Sequence, residues 1–107
     1  MTGVHPRHRL DPLIHAPIRL SIMAFLAEVD QAEFGLVRES VELTAPALSK
    51  QVSMLENAGY VKVEKGYVGK RPRTWLSLTP AGRHAMRQHL DALRVIAGDV
   101  DGGGGRP

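Results

Sequence analysis

In the first part of the chain, apolar residues recur at the spacing of an α-helix. Ile18, Ile22, Phe25 and Val29 follow a period near 3.6 and predict a helix over about 17–29. The preceding Asp-Pro pair at positions 11 and 12 is typical of an N-cap followed by proline at the first helical position. The pattern therefore predicts a kinked helix pair over 11–16 and 17–29.

Two further amphipathic segments follow. Phe34, Val37 and Val41 share one face and predict a helix over about 31–41. A second stripe at spacings of four and three, preceded by a capping threonine, predicts a helix over about 45–58. The other side of this helix is small, polar and cationic. Its candidate functional residues are Thr44, Pro46, Ser49, Lys50, Gln51 and Ser53.

The pattern then changes to strict alternation. Val61 and Val63 begin one predicted strand, and Thr74, Leu76 and Leu78 lie on one face of a second. Residues 65–72 between them contain two glycines and a proline and predict a long loop at the tip of a hairpin. A Thr-Pro pair at positions 79 and 80 then predicts a last helix over about 80–97.

Charge is distributed unevenly over this pattern. The net charge of the 107 residues is +3, but residues 28–42 are mostly acidic and residues 62–73 mostly basic. Lys70, Arg71 and Arg73 surround a proline at the predicted hairpin tip. Like charges held together repel one another, so a polyanionic partner is expected on this side of the molecule.

The ends of the chain differ from the middle in composition. A basic arm over 1–9 and a glycine-rich tail over 98–107 are expected to be flexible, which leaves one domain over 10–97. The longest apolar run, residues 22–27, is too short to cross a bilayer, and the N-terminus has no signal-peptide core. We therefore expect a cytoplasmic protein without a membrane partner.

Small outward side chains on a helix, followed by a basic hairpin, suit duplex DNA. Such a helix enters the major groove without steric conflict and offers donors and acceptors to base edges. The hairpin cations would neutralise phosphates or reach the neighbouring minor groove. The sequence thus predicts a reading helix over about 45–58 and a contacting hairpin over about 66–73.

Three segments resemble winged helix-turn-helix transcriptional regulators of the MarR and ArsR type. These are DPLIHAPIRLSIMAFL (11–26), LSKQVSMLENAGYVKV (48–63) and GKRPRTWLSLTPAG (69–82). The resemblance implies a mainly α fold with a small β-hairpin: a three-helix core, a two-stranded wing and a C-terminal dimerisation helix. It also implies a homodimer, usually a repressor, that binds a pseudo-palindromic duplex site. By position, Ser49, Lys50, Gln51 and Ser53 match the recognition-helix contacts of these regulators, and Arg71 and Arg73 match their wing contacts.

The last helix carries a second apolar stripe. Met86, Leu90, Leu93 and Ala97 are spaced by four, three and four residues, which predicts a seam between two copies of the chain or a contact with its own domain. Apolar density near Leu13, Phe25, Trp75 and Met86 also suggests a pocket for a small-molecule effector.

Other chemistry has weaker support. The chain has no cysteine, glycine-rich phosphate loop or nucleophile elbow, so neither an enzyme nor a cofactor is expected. His84 and His89 lie five residues apart, where helical metal pairs need three or four, so zinc between subunits is only an alternative. Two alternatives to specific DNA recognition stay open: a winged-helix module that binds protein, and a non-specific architectural DNA binder.

Overall fold

The helical patterns form four α-helices in the computed structural model, which describes residues 4–98. The predicted class, mainly helical with a small sheet, is confirmed. No helix within these residues is long and apolar enough to cross a membrane. The elements are a 3-10 helix (Pro6–Arg9), α1 (Pro17–Ala27), β1 (Ala32–Glu33), α2 (Phe34–Ser40), α3 (Ala45–Asn57), β2 (Val61–Val68), β3 (Arg71–Leu78) and α4 (Pro80–Gly98).

The N-terminal segment differs from its prediction. Residues 6–9 form the 3-10 helix, which packs against α4, instead of a loose arm. The predicted helix over 11–16 is a turn, in which the Asp11 carboxylate accepts the Leu13 N–H at 2.9 Å. Pro17 holds the preceding residue in extended backbone, which separates the turn from α1. Residues 1–3 of the predicted arm and 99–107 of the predicted tail lie outside the described residues.

A third strand replaces the start of the helix predicted over 31–41. Ala32 and Glu33 of β1 pair with Leu76 and Trp75 of β3, and α2 begins only at Phe34. The sheet order is β1-β3-β2, and both pairings are antiparallel. A two-residue strand is too short to produce a periodic pattern, so periodicity cannot predict it.

The hairpin is longer and tighter than predicted. Val68 pairs with Arg71, so the strands continue to a two-residue turn formed by Gly69 and Lys70. Gly69 has φ of 63°, the left-handed conformation that the first residue of a type II′ turn requires. Residues 65–72, predicted as a loop, therefore form a rigid paired tip.

The core lies between α1, α3, α4 and the inner face of the sheet. α1, α3 and the sheet supply most of the buried side chains, whereas α2 adds Val37 and α4 adds Met86 alone of its predicted stripe. Burial of these side chains provides the main stabilisation. The buried core consists of Ile14, Ile22, Met23, Leu26, Ala32, Val37, Leu48, Val52, Leu55, Val61, Leu76, Leu78 and Met86.

The start of α4 is held against the end of α3. The Thr79 hydroxyl accepts the Gly82 N–H at 2.9 Å, which caps α4, and donates to the Gly59 carbonyl at 2.6 Å. The Thr79 N–H donates to the Tyr60 carbonyl at 3.0 Å. Gly82 then passes so close that a Cβ on it would lie 2.1 Å from the Tyr60 carbonyl oxygen. Only glycine fits at this crossing.

A polar network connects the N-terminal turn with the middle of α4. His89 is fully buried, and its Nδ1 accepts the Asp11 N–H at 3.0 Å. The His89 proton is therefore on Nε2, which faces His15 Nδ1 at 3.2 Å. Tyr60 donates its hydroxyl to the Asp11 carboxylate at 2.5 Å, and this hydrogen bond raises the pKa of Tyr60. Because Nδ1 accepts a hydrogen bond and therefore carries no proton, the network requires a neutral imidazole.

We expect folding stability to fall when the pH drops below about 6.5. Burial, with the nearby His15, lowers the pKa of His89 in the folded state. The unfolded chain therefore binds a proton near pH 6.5 that the folded chain does not, and stability is retained above that pH. Below pH 6.5 the free energy of unfolding should therefore decrease as the pH falls, with a slope of at most about 1.4 kcal/mol per pH unit for this single proton.

Urea unfolding at several pH values measures this slope. His89→Gln keeps a side-chain acceptor but does not titrate, so the slope should disappear in this variant. His84→Gln, at an exposed position of the same helix, is the matched control and should keep it. An unchanged slope in His89→Gln would exclude His89 as its source.

Candidate nucleic-acid interface

The predicted reading helix is α3. The Thr44 hydroxyl accepts the Ala47 N–H at 3.3 Å and caps the helix, and Pro46 occupies its first turn. Leu48, Val52 and Leu55 are buried, so the opposite face is directed to solvent. This face carries exposed Ser49, Lys50 and Ser53. The hydroxyl of Thr44 is already used for capping, whereas these three side chains are available to a ligand.

Gln51 does not belong to that face. Its side chain is half-buried, and its amide oxygen accepts a hydrogen bond from Arg19 of α1 at 3.0 Å. The same guanidinium donates through Nε to the Leu13 carbonyl at 2.5 Å. Gln51 was predicted to contact DNA, but the structure uses it to hold α3 on α1. The sequence already indicates this position, because Gln51 follows the buried Leu48 by three residues and therefore lies beside the buried stripe of α3.

The three cations at the wing tip are not equivalent. Lys70 and Arg71 are exposed, and neither forms an ion pair within residues 4–98. Arg73 forms a salt bridge with Glu33 of β1, and its side chain is only 30% exposed. Arg73 therefore differs from the other two cations, because β1 brings a carboxylate beside it. That strand had no signal in the sequence.

Replacing Arg71 and Arg73 separately should give different results. Arg71→Ala is expected to reduce the salt dependence of DNA binding by about one unit of the log–log slope, since one phosphate contact is lost. Arg73→Ala should leave the slope nearly unchanged and lower stability slightly, because its charge is paired with Glu33. Titration of labelled duplex at several salt concentrations measures both effects. Equal slopes for the two variants would contradict this assignment.

A groove of about 550 Å³ lies between α3 and the inner face of the wing. Ser49 and Ser53 form one side, and Lys65 and Thr74 form the other. Thr74 lies on the predicted face of its strand with Leu76, and the strand register places Lys65, from the segment predicted as a loop, directly opposite it. The floor and remaining wall of the groove consist of Phe34, Val52, Glu56, Val63 and Leu76.

The predicted seam on α4 is only partly exposed. Met86 is 2% exposed and packs in the core of its own chain, so it cannot contact a second copy. Leu93 is half-buried, whereas Leu90 and Ala97 are exposed. Two apolar side chains outside the predicted seam, Val95 and Ile96, are also exposed on this helix, at 48% and 39%.

The predicted effector pocket is not assembled. A cavity of about 260 Å³ includes Met86 together with residues of α1 and α4, but Leu13, Phe25 and Trp75 do not line it. Trp75 lies on the outer face of β3 opposite Glu64 and Glu33, whereas Leu76 points into the core. Strand alternation therefore separates Trp75 from Met86.

The histidine pair does not form a metal site. His89 is buried with both ring nitrogens engaged, whereas His84 is exposed. Within residues 4–98 there is no cluster of three or more histidine or acidic side chains that could hold a metal ion.

Comparison with known proteins agrees with this geometry. The family described as winged helix DNA-binding domain matches residues 18–97. An uncharacterized protein from Methanocaldococcus jannaschii is 24% identical over 89 residues, which cover 83% of this chain and 97% of the relative.

Two solved structures have the same fold. The transcriptional regulator homologue from Pyrococcus horikoshii superposes with a TM-score of 0.78 at 30% identity, covering 83% of this chain and 88% of the other. A MarR-family transcriptional regulator from Enterococcus faecalis has a TM-score of 0.72 at 23% identity, with coverages of 89% and 84%. The chain belongs to the family of winged helix DNA-binding domains, and MarR-family transcriptional regulators are among its structural neighbours.

Proposed function

We propose that the protein is a sequence-specific regulator of transcription that binds duplex DNA and acts as a repressor. The observation that carries the proposal is the groove between α3 and the wing, in which the exposed serines of α3 face Lys65 of β2. Ser49, Lys50 and Ser53 provide the donors and acceptors that read base edges in a major groove. The wing cations provide sequence-independent attraction to phosphate.

The surfaces of α3 and of the wing suit different roles in DNA binding. The outer side of α3 has short side chains close to the backbone, so base edges can approach it. Lys65, Lys70 and Arg71 are exposed and form no ion pair among the described residues, so their charges remain available to phosphates. In this proposal α3 determines the sequence and the wing provides much of the affinity.

The proposed active form is a homodimer. Leu90, Val95 and Ile96 are exposed on α4, and a second copy of α4 would remove them from water. Two-fold symmetry then places two α3 helices about 34 Å apart, one turn of the duplex, on a pseudo-palindromic site. Occupation of such a site beside a promoter is sufficient for repression.

Selection of binding sites from random duplex DNA tests the proposal. Wild type and a variant with Lys50→Ala and Arg71→Ala are run in parallel, and circular dichroism confirms that both are folded. Enrichment by wild type alone of a two-fold-symmetric motif, with half-sites one helical turn apart, would support a dimeric specific regulator. Enrichment of the same motif by both proteins would contradict the assigned roles of Lys50 and Arg71.

The two alternatives give different results in the same experiment. A non-specific architectural binder would retain all sequences in a salt-sensitive manner without enriching a motif. A protein-interaction module would retain no DNA. The absence of a carboxylate beside Lys70 and Arg71 among the described residues favours a polyanion over a neutral protein surface.

The proposal includes a small-molecule effector that binds between α1 and α4. The cavity between α1 and α4 borders the exposed Leu90, so a ligand there would act on the proposed dimer contact. Its volume of about 260 Å³ is near the lower limit for ligand sites, which favours a small compound. Thermal stabilisation by such compounds would support this part, and a flat response across a broad library would remove it.

A further inference from the structure

Met54 is the only exposed methionine among residues 4–98. It is 36% exposed on α3, whereas Met23 and Met86 are 0% and 2% exposed and lie in the core. The chain contains no cysteine, so its only sulfur atoms are methionine thioethers. Since the susceptibility of sulfur to oxidation follows its exposure, Met54 is the methionine of the described residues that an oxidant reaches first.

The Met54 thioether takes part in the contact that holds α3 on α1. Its sulfur accepts a hydrogen bond from Arg19 Nη1 at 3.6 Å. The same nitrogen donates to the Gln51 amide oxygen at 3.0 Å, and Nε of this guanidinium donates to the Leu13 carbonyl. A thioether is a weak acceptor, so Gln51 provides the stronger of the two contacts with α3.

Met54 also borders the face of α3 that is proposed to read DNA. It follows Lys50 by four residues and Ser53 by one, and both of these side chains are exposed. Residues four apart lie beside each other on a helix surface, so Met54 is one turn away from Lys50. A change at this sulfur therefore acts on the orientation of α3 and on the edge of its reading face.

We propose that Met54 is a site of reversible oxidation to methionine sulfoxide, and that this modification weakens the binding of DNA by α3. The inference rests on the proposed function and adds a form of regulation to the same surface. The oxidant is a two-electron oxygen donor of the peroxide class. With hydrogen peroxide, a lone pair of the sulfur attacks one oxygen, the S–O bond forms and the O–O bond breaks. The proton of the transferred oxygen goes to the leaving hydroxide, so water is the second product.

The added oxygen disturbs the contact between α3 and α1. Arg19 Nη1 is only 3.6 Å from the sulfur, so an oxygen added on that side requires the guanidinium to move. The sulfoxide oxygen is a polar acceptor that competes with Gln51 for this guanidinium, and α3 then loses its fixed orientation. An oxygen added on the exposed side places a negative partial charge near Lys50, where phosphates are expected. Both positions of the oxygen lower the affinity for DNA.

The exposure of Met54 also makes the reverse reaction accessible. A thiol-dependent methionine sulfoxide reductase restores the thioether, while two thiols are oxidised to a disulfide and the oxygen leaves as water. The enzyme has to reach the sulfoxide, which the surface position of Met54 permits. Oxidation at this position therefore constitutes a switch that can be returned to its first state.

Peptide mapping after treatment of the full chain with hydrogen peroxide tests the site of oxidation. Trypsin cleavage after Lys50 and Lys62 gives a peptide that contains Met54 and no other methionine. Met23 and Met86 lie in other tryptic peptides and are internal controls. We expect mass spectrometry to find one added oxygen atom at Met54 before either buried methionine is modified.

The affinity of the oxidised protein for the duplex selected by wild type tests the consequence. Oxidised wild type should lose roughly 10-fold in affinity, the effect of one charge-assisted hydrogen bond, and treatment with the reductase and dithiothreitol should restore it. Met54→Leu has a similar volume without sulfur, so it should bind as untreated wild type does and keep its affinity in peroxide. Met54→Gln places a polar oxygen at this position and should lower the affinity without any oxidant.

Three results would overturn the inference and leave the proposed function intact. The first is equal oxidation of Met54 and the two buried methionines. The second is unchanged affinity after complete conversion of Met54, or an equal loss in peroxide-treated Met54→Leu. The third is loss of the helical circular dichroism on oxidation, because the sulfoxide would then unfold the protein instead of regulating it. If untreated wild type binds no duplex, the proposed function itself fails, and the regulatory role of Met54 fails with it.

Discussion

Gly82→Ala should destabilise the fold by about 3 kcal/mol or more. The added Cβ would lie 2.1 Å from the Tyr60 carbonyl oxygen, well inside van der Waals contact. That carbonyl belongs to backbone and already accepts the Thr79 N–H, so it cannot move without loss of a hydrogen bond. Either α4 separates from the end of α3, or the crossing is strained.

Thermal unfolding at fixed protein concentration measures this effect, and for a domain of this size the expected decrease in Tm is roughly 15 °C. Gly35→Ala is the matched control. Gly35 is in α2, and a Cβ there meets no atom within 4 Å, so alanine should be neutral or stabilise the helix by about 0.5–1 kcal/mol. A Gly82→Ala protein that melts with wild type would show that α4 does not approach Tyr60 so closely.

Ser49→Glu should reduce DNA affinity by about 100-fold or more. Ser49 is exposed on α3 and borders the groove toward the wing, so a carboxylate there would face phosphates and acceptor base edges. The loss of a small hydroxyl contact contributes less than this repulsion. Folding should be unaffected, since the position is exposed and a carboxylate in the N-terminal half of a helix is tolerated.

Ser21→Glu introduces the same charge at an exposed position of α1 and controls for the change in net charge. Its affinity should decrease only a few-fold through long-range electrostatics. Both affinities are measured by fluorescence anisotropy on the duplex recovered by site selection. An equal loss in the two variants would mean that α3 has no special position on the DNA.

The helix patterns predicted more of this molecule than the charge pattern did. The helices predicted over 17–29, 45–58 and 80–97 form near their expected positions, because each buries apolar side chains on one face. The predicted helix over 11–16 failed because Pro17 breaks it from α1 and the Asp11 side chain closes a turn instead. The spacing of apolar residues does not show where a local side-chain hydrogen bond will compete with helix formation.

The candidate site illustrates the same limit. Ser49, Lys50 and Ser53 were identified from the helical wheel and are exposed, because the buried stripe of α3 leaves them no other direction. The intramolecular partners of Arg73 and Gln51, which are Glu33 and Arg19, could not be predicted because they are distant in sequence. Lys65 was missed because its position in the groove depends on strand register, which was not known beyond the two valines.

The sequence by itself determined the fold class, the capped reading helix and a basic hairpin, since these depend on short-range spacing and on intrinsic preferences of proline, glycine and threonine. Only the tertiary structure decided which wing cations are unpaired among the described residues, which residue of α3 forms a hydrogen bond with α1, and why position 82 is glycine. Each of these depends on two segments that are far apart in sequence and meet only when the core closes. The buried His89 belongs with them: its neighbours Asp11 and His15 are more than seventy residues away in the chain.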